Sequence, residues 1–328
     1  MTEAEILAAI DGLTPALQRA YLDQVRAMVD AAVIADVERL IAERDDSGVV
    51  QMLAAGAFAA LLEGVRAAFI KGGTAIVIKR PGGVPVQFDQ HSAPAQDWVT
   101  SNAQKLTQAI AQEQAQAIQV MLAAGRQSDR TAREIALDIV GRVSPQTGKR
   151  VGGVLGLSGA EAEAVANTGR WLTSGQLDQM GQYLKRADRD KRLDGIVKRA
   201  IEAEKPVAKV DAERIKTVYA DRKLKAHAEL VARSQAHKAY NAGFNRLHRQ
   251  LMEQHVKPVS ITKGWNNKGD KRVRHAHVEL GGVEVPIQQP FQSPTGAQLD
   301  FPGDDAHGAS WADLANCRCT VKYKVRWK

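Results

Sequence analysis

The sequence predicts a mainly α protein: a multi-helix body with a β-hairpin, followed by a small α+β C-terminal module. Three observations predict it. The first two hundred or so residues are rich in alanine and other helix formers, and apolar residues recur there every three or four positions. One interruption, around Pro81-Gly82-Gly83, is flanked by β-branched runs. Beyond Lys257-Pro258 the chain changes to short β-branched or aromatic runs broken by Gly, Pro, Asn and Asp. These shifts divide it into a helical region at 1–70, a hairpin arm at 71–95, a central helical region at 96–204 and a terminal domain at 205–328 that opens with a long helix.

Thr2-x-x-Glu5 has the form of a capping box, so a helix opens at once. Thr14-Pro15 reads as a second start, with Thr as N-cap and Pro in the first turn. Leu17, Tyr21, Val25, Met28 and Ala32 continue at helical spacing. A third helix is expected after Ser47-Gly48, with one stripe running from Leu53 through Ala57, Leu61 and Val65 to Phe69. Lys71-Gly72-Gly73 ends it. Thr74–Ile78 and Val84–Phe88 then form the hairpin, which is either an interaction arm or a surface decoration.

Helix returns from Asp97 to Ala124, and Ser128 or Thr131 caps the next one, through Val140. The stretch from Gly141 to Gly159 is glycine-rich but has no G-x-x-x-x-G-K-[ST], so it is a flexible or closely packed loop, not a phosphate cradle. Ser158–Trp171 and Ser174–Tyr183 read as helices. Lys185–Arg199 mixes Lys and Arg with Asp188, Asp190 and Asp194, the pattern of a solvated face laced with ion pairs. Glu204-Lys205-Pro206 is a link, and Asp211 to about His255 forms one or two long helices. Ala228, Ala232, Ala236, Ala239 and Gly243 along it permit close packing of another element.

The 328 residues carry 45 Lys+Arg against 37 Asp+Glu, a formal charge of +8. That balance favours polyanionic partners, nucleic acid above all, and says nothing about fold. Two cysteines exclude a disulfide framework, and their separation by one residue makes a mutual bridge strained. The start, M-T-E-A-E-I-L, lacks the basic and apolar parts of a secretory signal, so a reducing, cytosol-type compartment is expected. The most apolar stretch, Val49–Val65, is interrupted by Gln51 and Glu63 and falls short of the roughly 20 residues of a bilayer span. No membrane is expected.

Chemistry concentrates near the C-terminus. Cys317 and Cys319, with His277 ahead of His275 and His307, are the residues to hold a structural zinc ion. The C-x-C spacing differs from the usual C-x₂₋₄-C knuckle, and buried, unliganded thiols are the alternative. A nucleophilic cysteine helped by Arg318 has no identifiable orienting acid, so no catalytic residue is assigned. In the last strand Val321, Tyr323, Val325 and Trp327 alternate with Lys322, Lys324, Arg326 and Lys328: one face packs and the other is a row of cations. With Lys271, Arg272 and Arg274, and Lys268 beside them, these cations suit non-specific contact with double-stranded DNA or contact with a capsid. Lysines on an edge strand also guard it against stray pairing.

Gly269-Asp270-Lys271-Arg272-Val273-Arg274, then His277, Gly281-Gly282, Pro290-Phe291, Pro302-Gly303-Asp304 and Asn316-Cys317-Arg318-Cys319, resembles the phage Mu F-like family of minor head, or head morphogenesis, proteins. The resemblance covers about Asp211–Lys328. Upstream, Phe88-Asp89, Trp98-Val99, A-L-D-I-V-G-R (Ala136–Arg142) and Arg192-Leu193-Asp194 are similar to longer members. It implies a virion component of a tailed phage, at the capsid interior or portal vertex, assembled in the host cytoplasm. It implies partners in the portal protein, a major capsid or scaffold protein and packaged DNA, with a role in head assembly and DNA delivery and no enzymatic activity. Terminal modules of this family are also compared with ADP-ribosyltransferase-like folds, so an enzyme, of that kind or a metal-dependent nuclease, is the rival reading. Two departures stand out. The family's Arg-Thr-Glu step is Arg233-Ser234-Gln235 here, and the Asp-Gly that follows its histidine is Gly281-Gly282.

Overall fold

The computed structural model describes residues 1–54 and 56–328. It is 59% helical, with small antiparallel sheets toward the C-terminus, the architecture the sequence predicts. The helices are α1 (Glu3–Ala31), α2 (Ile34–Ala42), α3 (Asp46–Leu53), α4 (Ala59–Gly73), α5 (Ala93–Gln127), α6 (Ala132–Val140), α7 (Gly159–Thr173), α8 (Leu177–Leu184), α9 (Asp194–Glu202), α10 (Lys209–Met252), α11 (His275–Glu279) and α12 (Trp311–Leu314). The strands are β1 (Ile78–Lys79), β2 (Pro85–Val86), β3 (Arg142–Val143), β4 (Arg150–Val151), β5 (Ser260–Asn266), β6 (Glu284–Pro286), β7 (Phe291–Gln292), β8 (Gln298–Leu299) and β9 (Thr320–Arg326). Among the described residues no helix is long and apolar enough to cross a membrane.

The chain forms two compact units. One comprises Met1–Tyr21, Ala59–Gln104 and Glu229–Lys328; the other comprises Leu22–Phe58 and Lys105–Ala228. Helices α1, α5 and α10 contribute residues to both.

Three helix starts follow their local chemistry. Thr2 and Glu5 exchange reciprocal bonds, the Thr2 N–H to Oε2 of Glu5 at 2.7 Å and the Glu5 N–H to Oγ1 of Thr2 at 3.3 Å. Thr131 with Glu134 and Ser158 with Glu161 form the same box for α6 and α7. Each satisfies donors the first helical turn leaves free.

Two expected boundaries fall elsewhere. Thr14-Pro15 starts no helix: α1 runs through Pro15, and the Thr14 hydroxyl donates to the Ile10 carbonyl at 3.3 Å. Burial of Ile6, Ile10, Leu17 and Tyr21 along one face offsets the backbone bond that proline removes. The single helix expected from Ser47-Gly48 through Phe69 is two helices, α3 and α4. The chain breaks after Leu53, and Phe58, at φ 44°, is buried where the turn ends. A left-handed phenylalanine is unfavourable alone, so its burial holds the turn.

In the second unit, Leu172, Met180, Tyr183, Val197 and Ile215 pack one core. Asp138 of A-L-D-I-V-G-R is buried, accepts from Lys216 at 2.9 Å and Arg142 at 2.8 Å, and forms an ion pair with Arg130 at 3.1 Å. The glycine-rich stretch, expected as a loop, carries the short β3–β4 hairpin, and its backbone packs closely: a Cβ on Gly141 would lie 2.6 Å from the Gly152 carbonyl oxygen. The mixed charge run forms ion pairs as expected, Arg189 with Asp194 and Arg192 with Asp190.

In the first unit, β1 and β2 pair through only two residues each, and Ile76, Ile78, Val86 and Phe88 pack with Leu247, Leu251, Ile261 and Ile287. The hairpin is thereby seated on α10 and the terminal module, with Val77 and Val84 left exposed. The small residues of α10 do let another element in. A Cβ on Gly243 would sit 1.8 Å from the Phe69 carbonyl oxygen, and one on Gly72 would sit 2.0 Å from that of Tyr240. Backbone therefore meets backbone where α4 crosses α10.

Gly243→Ala is expected to destabilise the protein by about 1–3 kcal/mol or more, because overpacking outweighs the roughly 1 kcal/mol that alanine gains in a helix. Gly12→Ala in α1, with nothing within 4 Å of its new Cβ, is expected to stabilise it by about 0.5–1 kcal/mol. Chemical denaturation of both variants checks this, and equal effects would contradict the close-crossing account.

Candidate metal centre

The terminal module is a three-stranded antiparallel sheet, order β6-β5-β9, laid beside the C-terminal half of α10. Ile261, Lys263 and Trp265 of β5 point inward, opposite Val325, Tyr323 and Val321 of β9. The period-two pattern of the last strand is realised. Asn245 of α10 donates to the Tyr323 hydroxyl at 2.8 Å, and the His248 ring stacks on Tyr323 with centroids 3.9 Å apart.

Helix α11 carries His277, and the turn before β9 carries Cys317 and Cys319; all three are buried. Nδ1 of His277 lies 3.6 Å from Sγ of Cys317 and 3.6 Å from Sγ of Cys319, and the three ligand atoms all lie within 4.8 Å of one another. Zn–S bonds of about 2.3 Å and a Zn–N bond of about 2.05 Å at a tetrahedral angle place N and S about 3.6 Å apart. The residues present therefore fit zinc. Two thiolates and a neutral imidazole would also cancel its charge, which a buried site needs.

The shape of the centre limits its chemistry. The cavity beside these atoms measures only about 10 Å³ and is bordered by Arg272, Val273, Arg274, Asn316 and Arg318. That is room for about one water. The two thiols titrate as a pair. Contact with Cys319 and then His277 pulls the first proton off Cys317 well below the ordinary thiol range, and the same contact pushes Cys319 up.

The surrounding motifs hold the centre in place. Arg318 makes two bonds to the Asp270 carboxylate, at 2.7 and 2.6 Å, pinning the G-D-K-R-V-R loop to the cysteine turn. That guanidinium, followed by the Arg272 N–H, lowers Asp270 to about 2. The Arg274 guanidinium donates to the Ala315 carbonyl. Trp265 meets the His277 ring edge-on at 5.1 Å and Phe291 at 5.2 Å, closing the site with aromatic surface. Asn267 donates to the His277 carbonyl at 3.2 Å.

Helix α10 supplies one residue that the sequence did not single out, His237, beside the Arg-Ser-Gln step that it did. His237 donates through Nε2 to the Cys319 carbonyl at 2.8 Å. Arg233 donates to Oδ1 of Asn316 at 3.3 Å, and the Asn316 N–H reaches Oγ of Ser234 at 3.5 Å. Arg233 and Ser234 of the Arg-Ser-Gln step thus grip the N-C-R-C turn, and Ser234 keeps the hydroxyl that threonine would provide. Pro302-Gly303-Asp304 approaches α10 closely: Gly303, at φ 92°, would place a Cβ 3.1 Å from Nδ1 of His237. Of the other candidate histidines, His275 pairs with Glu279 and His307 lies 3.7 Å from Asp300.

The expected DNA-contacting cations occupy two places. Lys322, Lys324, Arg326 and Lys328 are exposed along β9 and the residues after it, with Lys324 paired to Glu284. Lys271 and Arg272 are exposed in the loop before α11, while Arg274 is half-buried against Ala315.

The segment that builds this module is the one with recognisable relatives. Residues 210–322 match the family described as Phage Mu protein F like protein. Through this segment, and this segment alone, the chain is similar to the Mu F-like family of phage head morphogenesis proteins. Comparisons with curated proteins and with solved structures return no match.

His248 links acidity to the seating of β9. Burial lowers its pKa to about 4, and its Nδ1–H is committed to the Phe244 carbonyl at 2.8 Å. The unfolded chain takes up this proton near pH 6.5 and the folded chain only near pH 4, so stability present above pH 6.5 is lost as the pH falls through that window. Between pH 6.5 and 5, before most carboxylates titrate, the expected loss is about 2 kcal/mol. Denaturation at the two pH values should show that loss in the wild type and not in His248→Phe; parallel losses would contradict the assignment.

Proposed function

We propose that this chain is a minor head protein of a tailed phage that resides in the virion and acts in head assembly and DNA delivery. The observation that carries this reading is the Mu F-like match over residues 210–322. Its partners in this reading are the portal protein and a major capsid or scaffold protein. The terminal module is structural, not catalytic: one zinc ion on His277, Cys317 and Cys319 fastens α11 to the turn before β9. The 10 Å³ cavity supports this, since a site that turns over substrate needs an open coordination position with space in front of it.

DNA contact is assigned to the exposed cations, Lys322, Arg326 and Lys328 with Lys271 and Arg272. Ser260, Thr262 and Gly264 of β5 share the sheet face with Lys322, Lys324 and Arg326, so short side chains flank the row and a phosphate backbone can approach it. Such contacts carry no base information and weaken as salt rises.

Quantitative mass spectrometry of purified full and emptied heads, scaled to portal and major capsid protein, tests the reading. A count near the portal's in full heads is the expected result, and absence from every particle would overturn it. In the same programme, duplex DNA affinity of the purified chain is expected to fall steeply from low to moderate salt. Affinity indifferent to salt contradicts the charge-based contact.

A further inference from the structure

Lys263 occupies an unusual position. It lies mid-strand in β5, its side chain is 0% exposed, and its Nζ sits 5.2 Å from the centroid of the Phe291 ring. Nζ donates to the Asp300 backbone carbonyl at 2.8 Å and lies 3.1 Å from Oδ1 of the same residue. A buried ion pair of this kind contributes little stability relative to apolar packing.

We propose that Lys263 and Asp300 become joined by an isopeptide bond that forms within the folded module. The inference is independent of the head-protein reading and of the metal centre. The reaction is a condensation: the Lys263 Nζ–Asp300 Cγ bond forms, the Cγ–Oδ2 bond breaks, and ammonium plus carboxylate become an amide plus one water. No oxidant, reductant or co-reactant is required.

The groups facing the pair suit each stage. Arg249 Nη2 lies 2.9 Å from Oδ1, placed to hold the negative charge that develops there during attack. His307 Nε2 lies 3.7 Å from Oδ2, placed to pass a proton to the departing oxygen. Asp304 is buried and fixes the loop by accepting from the Asp300 N–H at 2.8 Å and the Ala306 N–H at 3.0 Å. Burial moves Lys263 down and Asp304 up, each toward the neutral form that exchanges protons during condensation. Phe291 and the sheet enclose the amine end of the pair, where the Lys263 side chain is 0% exposed. Asp300 lies 37 residues from Lys263, so the bond would close the terminal module covalently where no disulfide is available.

Denaturing intact mass spectrometry of the full chain tests this directly. The expected wild-type mass is one water below the sequence mass, with a branched proteolytic peptide joining the two residues and no tryptic cleavage after Lys263. Asp300→Asn is expected to lose one ammonia instead, because the same attack then displaces an amide nitrogen. Lys263→Met is expected to keep its full mass. A wild-type chain at its full sequence mass overturns the proposal. So does a lost water without the branched peptide, which is the signature of a succinimide.

Discussion

The structure depends on a single constraint, that polar side chains buried on α10 must find partners. The helix has the composition of a surface helix, yet from Ala226 onward most of its residues are enclosed. A buried donor or acceptor left unpaired costs about 1–3 kcal/mol. Nearly every turn of this half reaches a different element of the first unit: Arg233 and Ser234 reach Asn316, His237 the Cys319 carbonyl, Lys238 Asp305, Asn245 the Tyr323 hydroxyl, Arg249 Asp300, and Gln250 the Asp89 backbone. Two of these partners, Asn316 and Cys319, belong to the N-C-R-C motif. Hairpin, sheet and cysteine turn are each placed by a bond to α10, and the apolar contacts of Leu247 and Leu251 fill between them.

The same constraint explains what could be read from the sequence. Features whose cause lies within a few residues were legible: the capping pairs at Thr2, Thr131 and Ser158, the glycine that admits α4, and the alternation of β9. Features decided by distant packing were not. Pro15 has the local signature of a helix start, but the burial of Ile10 and Leu17 on one face carries α1 through it. Leu53 to Phe69 has an unbroken apolar stripe, but the enclosure of Phe58 in a left-handed turn breaks the helix. Spacing does bring His277 to the cysteines. Nothing local marks His237 or Lys263, whose partners lie 82 and 37 residues away.

The cysteine turn has two layers of support. Hydrogen bonds from His237, Arg233 and Arg274 and the Asp270–Arg318 pair set its backbone, while Trp265 and Phe291 close it from solvent. What remains inside is two sulfurs, each 3.6 Å from one imidazole nitrogen, the N–S separation a tetrahedral zinc ion imposes. Both cysteines are free, so no disulfide fastens this small module, and a metal bound here would supply that fastening through side chains alone.

The most direct test of that account is the metal content of the full chain, purified without added chelator and measured by native mass spectrometry alongside its thermal unfolding. The account predicts one zinc per chain, its loss in Cys317→Ala, and a lower melting temperature after chelation that added zinc restores. A metal-free chain whose melting temperature responds neither to zinc nor to chelator would contradict it.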